Sequence, residues 1–359
     1  MNLGHLQVET FRLQLLAPVH IGDGRKVTGY EYLYDPRTRM IGVLDMEKFL
    51  NYIVERRLSD SFERYMSAPG GRKLSEWLRE NAVSAADHAR FVRYTLSTES
   101  GFRPNDLHFF VKDAEGCPYV PGSSIKGALR TALAHTWISA GRVNAPDRFV
   151  SQNYPKNAAR DLEVALFNRL SRNEEKPKDM VNDVLSGIRV SDSPPLPLDA
   201  LIVSQKLDRD LYRTQRRMPI LRESLKPGTE IPVRIVFDQS ILRGFGLDVG
   251  AVLNALEAYS DSVRKSFDDR FPALPGDAPR GGRGALLLLG GGSGFAGKTI
   301  VQSVFGNRAL NVTAAILQRN FERHNHSRDV SLGVSPRLMP MSAWRGGYCR
   351  MGLCRLVPD

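Results

Sequence analysis

The segment ALLLLGGGSGFAGKT, Ala285 to Thr299, constrains the fold of this chain more than any other. Its apolar run of five residues is far short of the roughly 20 a membrane span takes, and it reads as a buried strand. It empties into a loop with glycine at 290, 291, 292, 294 and 297. Without side chains in the way, the amides of Gly291, Gly292 and Gly294 can lie against a phosphate. Lys298 adds a point charge there, and the ring of Phe295 can stack on a base or wedge between two. The chain must therefore contain a sheet, and other strands should end in the same way.

One such strand opens the chain. HLQVETFRLQLL alternates apolar and polar residues, then meets Pro18 and a turn at Gly22-Asp23-Gly24. Tyr30–Tyr34 and Met40–Leu44 flank Asp35-Pro36-Arg37-Thr38 as a hairpin. Asp45 is placed to cap a helix whose apolar positions Phe49, Leu50, Ile53 and Leu58 carry it to about Tyr65. A further short helix is expected around Leu74–Leu78 and a strand over Phe109–Lys112. Pro146–Asp183 reads as a polar helical insertion. Pro194-Pro195-Leu196-Pro197 excludes helix and central strand, and marks a boundary between units 1–193 and 194–359. Ile231–Phe237 alternates like a strand, and the Pro-, Gly- and Arg-rich stretch Asp268–Gly284 reads as a mobile loop.

Between these lies PGSSIKGALR, Pro121 to Arg130, followed by a helix expected from about Ser124 to Ala140. Gly122 permits close backbone approach, Ser123 or Ser124 can cap, and free first-turn amides suit an anion. Lys126 and Arg130, four residues apart, share one face. The arrangement suits a phosphate, and equally an ordinary capped, basic helix.

Charge distribution supports a polyanionic partner. The chain carries 50 Lys and Arg against 39 Asp and Glu, a net +11. Residues 281–355 hold ten basic side chains against Glu322 and Asp329 alone. Such concentration suits nucleic-acid phosphates rather than a merely alkaline surface. Within the basic stretch Arg209–Lys226, read as a charged helix or loop, Arg216 and Arg217 are the foremost phosphate contacts. Three cysteines, a start that does not read as a basic region followed by an apolar signal segment, and no span-length apolar run point to a reducing cytoplasm, without membrane.

Three enzymatic or metal readings compete. Gly292–Thr299 matches the spacing of a nucleotide-binding P-loop, G-x-x-x-x-G-K-[ST], which would make Lys298 part of an ATPase. No apolar strand ending in Asp follows it to hold magnesium. His20, beside Gly22 and Gly24, could take a proton from a 2′-hydroxyl in an endoribonuclease, yet one histidine is not a site. His324, His326, Cys349 and Cys354 match no zinc spacing, so neither metal nor other cofactor is expected.

With these residues in view, the chain resembles the RAMP superfamily, and within it the fifth-subunit family of the Csm, type III-A CRISPR, effector complex. The resemblance rests on Pro18–Gly24, the hairpin Tyr30–Asp45, Tyr119–Arg130, Gly290–Thr299, and the tail from Ser335-Pro336-Arg337 to Gly352-Leu353-Cys354-Arg355. It implies an α+β fold of two ferredoxin-like (RRM-like) domains with antiparallel sheets and helical insertions. It implies a non-catalytic subunit that binds the 3′ portion of crRNA beside an adjacent RAMP backbone subunit. A part in crRNA maturation and antiviral defence follows, through host trimming nucleases. RNA contacts would then come from His20, Gly22, Gly24, Gly122, Ser123, Ser124, Lys126, Arg130, Arg216, Arg217, Gly291, Gly292, Gly294, Phe295, Lys298 and Arg337.

Overall fold

The computed structural model describes residues 4–68, 73–99, 101, 105–149, 159–274 and 281–359. The alternation in the opening stretch produces one long strand, β1 (Leu6–Leu15), with Phe11, Leu13 and Leu15 buried on one face. It lies inside a five-stranded antiparallel sheet ordered β11 (Ala285–Leu288), β14 (Leu353–Pro358), β1, β10 (Glu230–Asp238), β7 (Ile188–Val190). Ile231, Val233, Ile235 and Phe237 continue the buried face across β10. Helices α4 (Gly122–Ser139) and α7 (Val249–Ser266), which pack on each other, contribute Ile125, Leu129, Leu133, Val252 and Leu256 to the same core.

The second sheet follows the order β2 (Gly22–Val27), β6 (Leu107–Phe110), β9 (Gln215–Leu225), β8 (Leu201–Arg209), β5 (Val92–Thr98), β4 (Met40–Leu44), β3 (Tyr32–Asp35). A hairpin of β12 (Met339–Trp344) and β13 (Gly347–Arg350) joins it at the far end of β8. Pairings are antiparallel except β5–β8 and β6–β9. A separate apolar cluster, with Phe49, Tyr52, Ile53, Trp77 and Phe91, packs α1 (Met46–Glu55), α2 (Ser59–Ser67) and α3 (Leu74–Glu80) beside β3 and β4. The architecture is α+β with two antiparallel-rich sheets.

Local chemistry explains most element ends. The Asp45 side chain accepts from the Lys48 amide at 3.2 Å and starts α1, as its spacing predicts. That helix stops sooner than the expected Tyr65. Arg57 adopts φ +55, the Arg57 amide donates to Val54 O and the Leu58 amide to Ile53 O, a left-handed closure after which α2 begins afresh. Gly22–Gly24, expected as a turn, starts β2. The basic stretch 209–226 is mostly strand β9, because its last third, Leu221, Glu223, Ser224 and Leu225, is buried between β6 and β8. In the insertion, α5 spans Arg160–Phe167, while residues 150–158 lie outside the described residues, as do 275–280 of the expected mobile loop.

The proline run leads from β7 in one sheet to β8 in the other. Both sheets draw strands from either side of residue 193: β1 and β7 with β10, β11 and β14 in one, β2–β6 with β8, β9, β12 and β13 in the other. The expected boundary is thus a crossover between sheets, and residues 1–193 and 194–359 share both.

Candidate nucleic-acid interface

The sequence-derived site residues separate into three places. The first is the start of α4. Gly122 is buried, and a Cβ there would come within 2.2 Å of the Val190 carbonyl oxygen, so this glycine serves packing against β7. Its amide donates to Asp192 Oδ1 at 2.7 Å, so Asp192 supplies the acceptor for which Ser123 or Ser124 was expected. Lys126 Nζ donates to Leu185 O at 2.8 Å and Ile188 O at 2.7 Å, and burial holds its pKa below the ordinary lysine value. Arg130 pairs with Asp183 at 2.6 Å and Glu163 at 3.1 Å and covers the Phe167 ring. The expected phosphate cradle is therefore filled by the protein itself.

The second place is the glycine loop. After β11 the chain turns at Gly290, whose φ is +71 and whose Cβ would stand 2.0 Å from the His20 carbonyl oxygen. The Gly291 amide donates to that oxygen at 2.6 Å. His20 is buried, and its Nδ1 lies 2.6 Å from Glu223 O. A carbonyl only accepts, so Nδ1 carries the proton and Nε2 is the bare nitrogen. Desolvation, opposed by that hydrogen bond, lowers the His20 pKa to about 4, so the ring is neutral at neutral pH. Nε2 faces Gly22, where a Cβ would intrude to 2.9 Å. Gly24, at φ +88, needs its glycine for backbone conformation and has open space around it.

Arg222, on β9, comes up against this loop. A Cβ at Gly292 would stand 3.3 Å from its Nη1, which is buried and has no hydrogen-bond acceptor among the described residues. Burial lowers its pKa, with Asp208 acting in the opposite sense. Lys298, in the same field, has no acceptor among the described residues. Although the residue is exposed, partial desolvation first and repulsion from Arg222 second depress its ammonium pKa. His108, at the adjoining β6, is likewise held below the ordinary histidine value by desolvation, Arg222 and Lys26. Two cations and a run of bare glycines thus share one place, while Gly294 (φ +83) lies against Pro340.

This loop is not a nucleotide P-loop despite its spacing. The strand before it, β11, pairs antiparallel with β14 alone among the described residues, and the loop bridges back to His20. The helix after it, α8, has only five residues, Val301–Phe305. His20, the candidate base of an endoribonuclease, is buried, and its Nδ1 is held by the Glu223 main-chain carbonyl.

The third place is a concavity of about 480 Å³ at the β8–β9 turn, where Arg216 and Arg337 meet Arg328, His324 and Tyr212. Tyr212 is 77% exposed, and Arg216 and Arg328 have no acceptor among the described residues. Arg337 is anchored by the buried Asp329 at 2.8 Å and by the carbonyls of Asn325 and His324. Arg217 donates to Gly101 O at 2.8 Å. Sequence reasoning passed over Arg222 and Tyr212; both lay in the basic stretch, but only the fold reveals which of its members meets the glycine loop. No group of three or more His, Cys, Asp or Glu among the described residues is placed to hold a metal, and none of the described helices is long and apolar enough to cross a membrane.

Comparison with known proteins agrees with this geometry. The model of the RAMP superfamily matches residues 12–294. A protein of Streptococcus thermophilus named "CRISPR system Cms protein Csm5" is 30% identical over 331 residues, 88% of this chain and 84% of that protein. Its namesake in Mycobacterium tuberculosis is 30% identical over 378 residues, 96% of each. Among solved structures, a chain of a Csm–crRNA–target RNA ternary complex of a type III-A CRISPR-Cas system superposes with a TM-score of 0.65 at 20% identity, covering 98% of this chain and all of that one. The crystal structure of T. onnurineus Csm5 gives 0.62 at 18% identity, with 96% and 99% covered. The chain therefore belongs to the RAMP superfamily, and within it to the Csm5 family.

Proposed function

We propose that this chain is a non-catalytic crRNA-binding subunit of a type III-A Csm effector complex in the cytoplasm. It caps the subunit backbone next to another RAMP subunit, over the 3′ portion of the crRNA, and admits trimming nucleases that mature it for antiviral defence. The single observation that carries RNA binding is Arg222: a buried donor without an acceptor among the described residues, set against Gly291 and Gly292 with Lys298 beside it. Leaving such a donor unmet costs about 1–3 kcal/mol, which a phosphate oxygen would relieve. Arg216 and Arg328, around the exposed Tyr212, offer a second charged surface where a base can stack. Lys126 and Arg130 hold the fold instead of the RNA.

The purified chain should bind single-stranded RNA with an affinity that falls steeply with salt and depends little on base sequence. Arg222→Ala and Lys298→Ala should weaken that binding across all sequences. Unchanged affinity in both variants, or RNA cut by the purified chain in a His20-dependent way, would sink the reading.

A further inference from the structure

The Ala296–Lys298 turn divides two surfaces. On one side stand Lys298, Arg222 and the bare glycines; on the other, Phe295 enters a cleft of about 800 Å³ between α7 and α8–α9 (Val301–Phe305 and Ala309–Asn320). The floor is rigid: Tyr259 is buried and its hydroxyl donates to Thr299 O at 2.9 Å, which fastens the loop to α7. The rim carries the exposed amides of Gln302 and Asn307 and the cations Lys265 and Arg270. None of these four side chains has a protein partner among the described residues.

An aromatic face, two uncommitted amides and flanking cations form a set that suits a nucleobase with its phosphate. Amides read base edges by paired donor and acceptor, a ring stacks on any base, and cations hold the backbone. The volume lies within the range of small-ligand sites, about 300–1,000 Å³. An apolar peptide would leave the amides and cations unmatched, and an anion alone would not use the ring.

We propose that the cleft receives one unpaired base of the bound RNA, turned over the Ala296–Lys298 ridge and stacked on Phe295, with Gln302 and Asn307 at its edge. The inference rests on the RNA-binding reading above. Lys298 then holds the phosphate on the ridge while Lys265 and Arg270 take the next one. The cleft adds a base-contacting step to an otherwise backbone-directed interface.

The test is a scan of single-stranded RNA carrying one 4-thiouridine at each position in turn, photocrosslinked to the full chain, with the crosslinked peptide identified. One position should crosslink to the segment 295–307. Phe295→Leu, which keeps apolar bulk but removes the stacking face, should abolish that crosslink and weaken binding about tenfold. It should leave the salt slope unchanged, because no phosphate contact is lost. The double change of the exposed Gln302 and Asn307 to Ala should reduce the same crosslink without touching the loop. RNA bound in an Arg222- and Lys298-dependent way, yet with no crosslink in 295–307, overturns the cleft assignment alone. No RNA binding at all overturns both this inference and the reading it rests on. Crosslinks unchanged by Phe295→Leu would mean an adjacent strand without a seated base, and would also overturn it.

Discussion

His20 and Gly291 are joined main chain to main chain, the Gly291 amide donating to the His20 carbonyl oxygen at 2.6 Å. This contact ties the connection between β1 and β2 to the late glycine loop, so the loop is shaped before any ligand arrives. The imidazole of the same residue continues the connection into β9 through Glu223 O, next to Arg222. Binding to a preformed loop avoids the entropy of ordering it.

Lys298 and Lys126 should therefore behave oppositely. Lys298→Ala should lower the slope of log affinity against log salt by about 1, as for one lost phosphate contact. Lys126→Ala should leave that slope alone and cost about 1–3 kcal/mol of stability, since Leu185 O and Ile188 O lose their donor. Salt-titrated anisotropy and urea denaturation separate the two.

Two glycines of one helix offer a sharper contrast. Gly122→Ala drives a methyl into the Val190 carbonyl and should destabilise by about 3 kcal/mol or more, as overpacking against rigid backbone does. Gly127→Ala meets nothing within 4 Å and should stabilise α4 by about 0.5–1 kcal/mol. Thermal melts of the two variants check both signs.

Beneath His20, Glu223 is fully buried and takes Lys112, the Tyr94 hydroxyl at 2.6 Å and the Phe110 amide at 2.9 Å. Glu223→Ala leaves the nearly buried Lys112 ammonium without a counter-charge. Removing one partner of such a pair costs about 3–5 kcal/mol. Chemical denaturation should show that loss, and Lys112→Met in the same background should recover part of it.

The pH dependence carries a definite sign. His20 titrates at about 4 when folded against 6.5 as its ordinary value, so the unfolded chain binds the proton more readily. Its contribution is full above pH 6.5 and is lost as pH falls through about 4, a difference of about 3 kcal/mol. His20→Asn, which keeps a donor for Glu223 O, should flatten this part of the stability curve between pH 6.5 and 4. An unchanged slope in urea midpoints across that window would contradict the assignment of a neutral, buried imidazole. RNA affinity should show no step from this residue between pH 6 and 8.

Local signals proved legible where the partner is close in sequence. Asp45 and Lys48, the Asp35–Thr38 turn and the run from Ile125 to Leu133 all declare their elements within a few residues. The interface was legible as a composition and a glycine loop, but not as a set of side chains. Arg130 meets Asp183 at 53 positions' distance and Lys126 meets Ile188 at 62, so cations that looked free are engaged. Arg222 looked like any other charge in a basic stretch; the register of β9 between β6 and β8 is what sets it against Gly292. Strand β9 itself was hidden because its exposed start, Gln215–Arg217, carries no apolar alternation.

The position of β1 between β10 and β14 also sets when this sheet can close. Arg12 on β1 and Asp359 just past β14, 347 positions apart, share a hydrogen bond. During synthesis the first strand must therefore wait beside an open edge until residues 353–358 leave the ribosome. Nascent chains held before that point should leave the β14 side of β1 open, and this side of the sheet closes only once β14 is made.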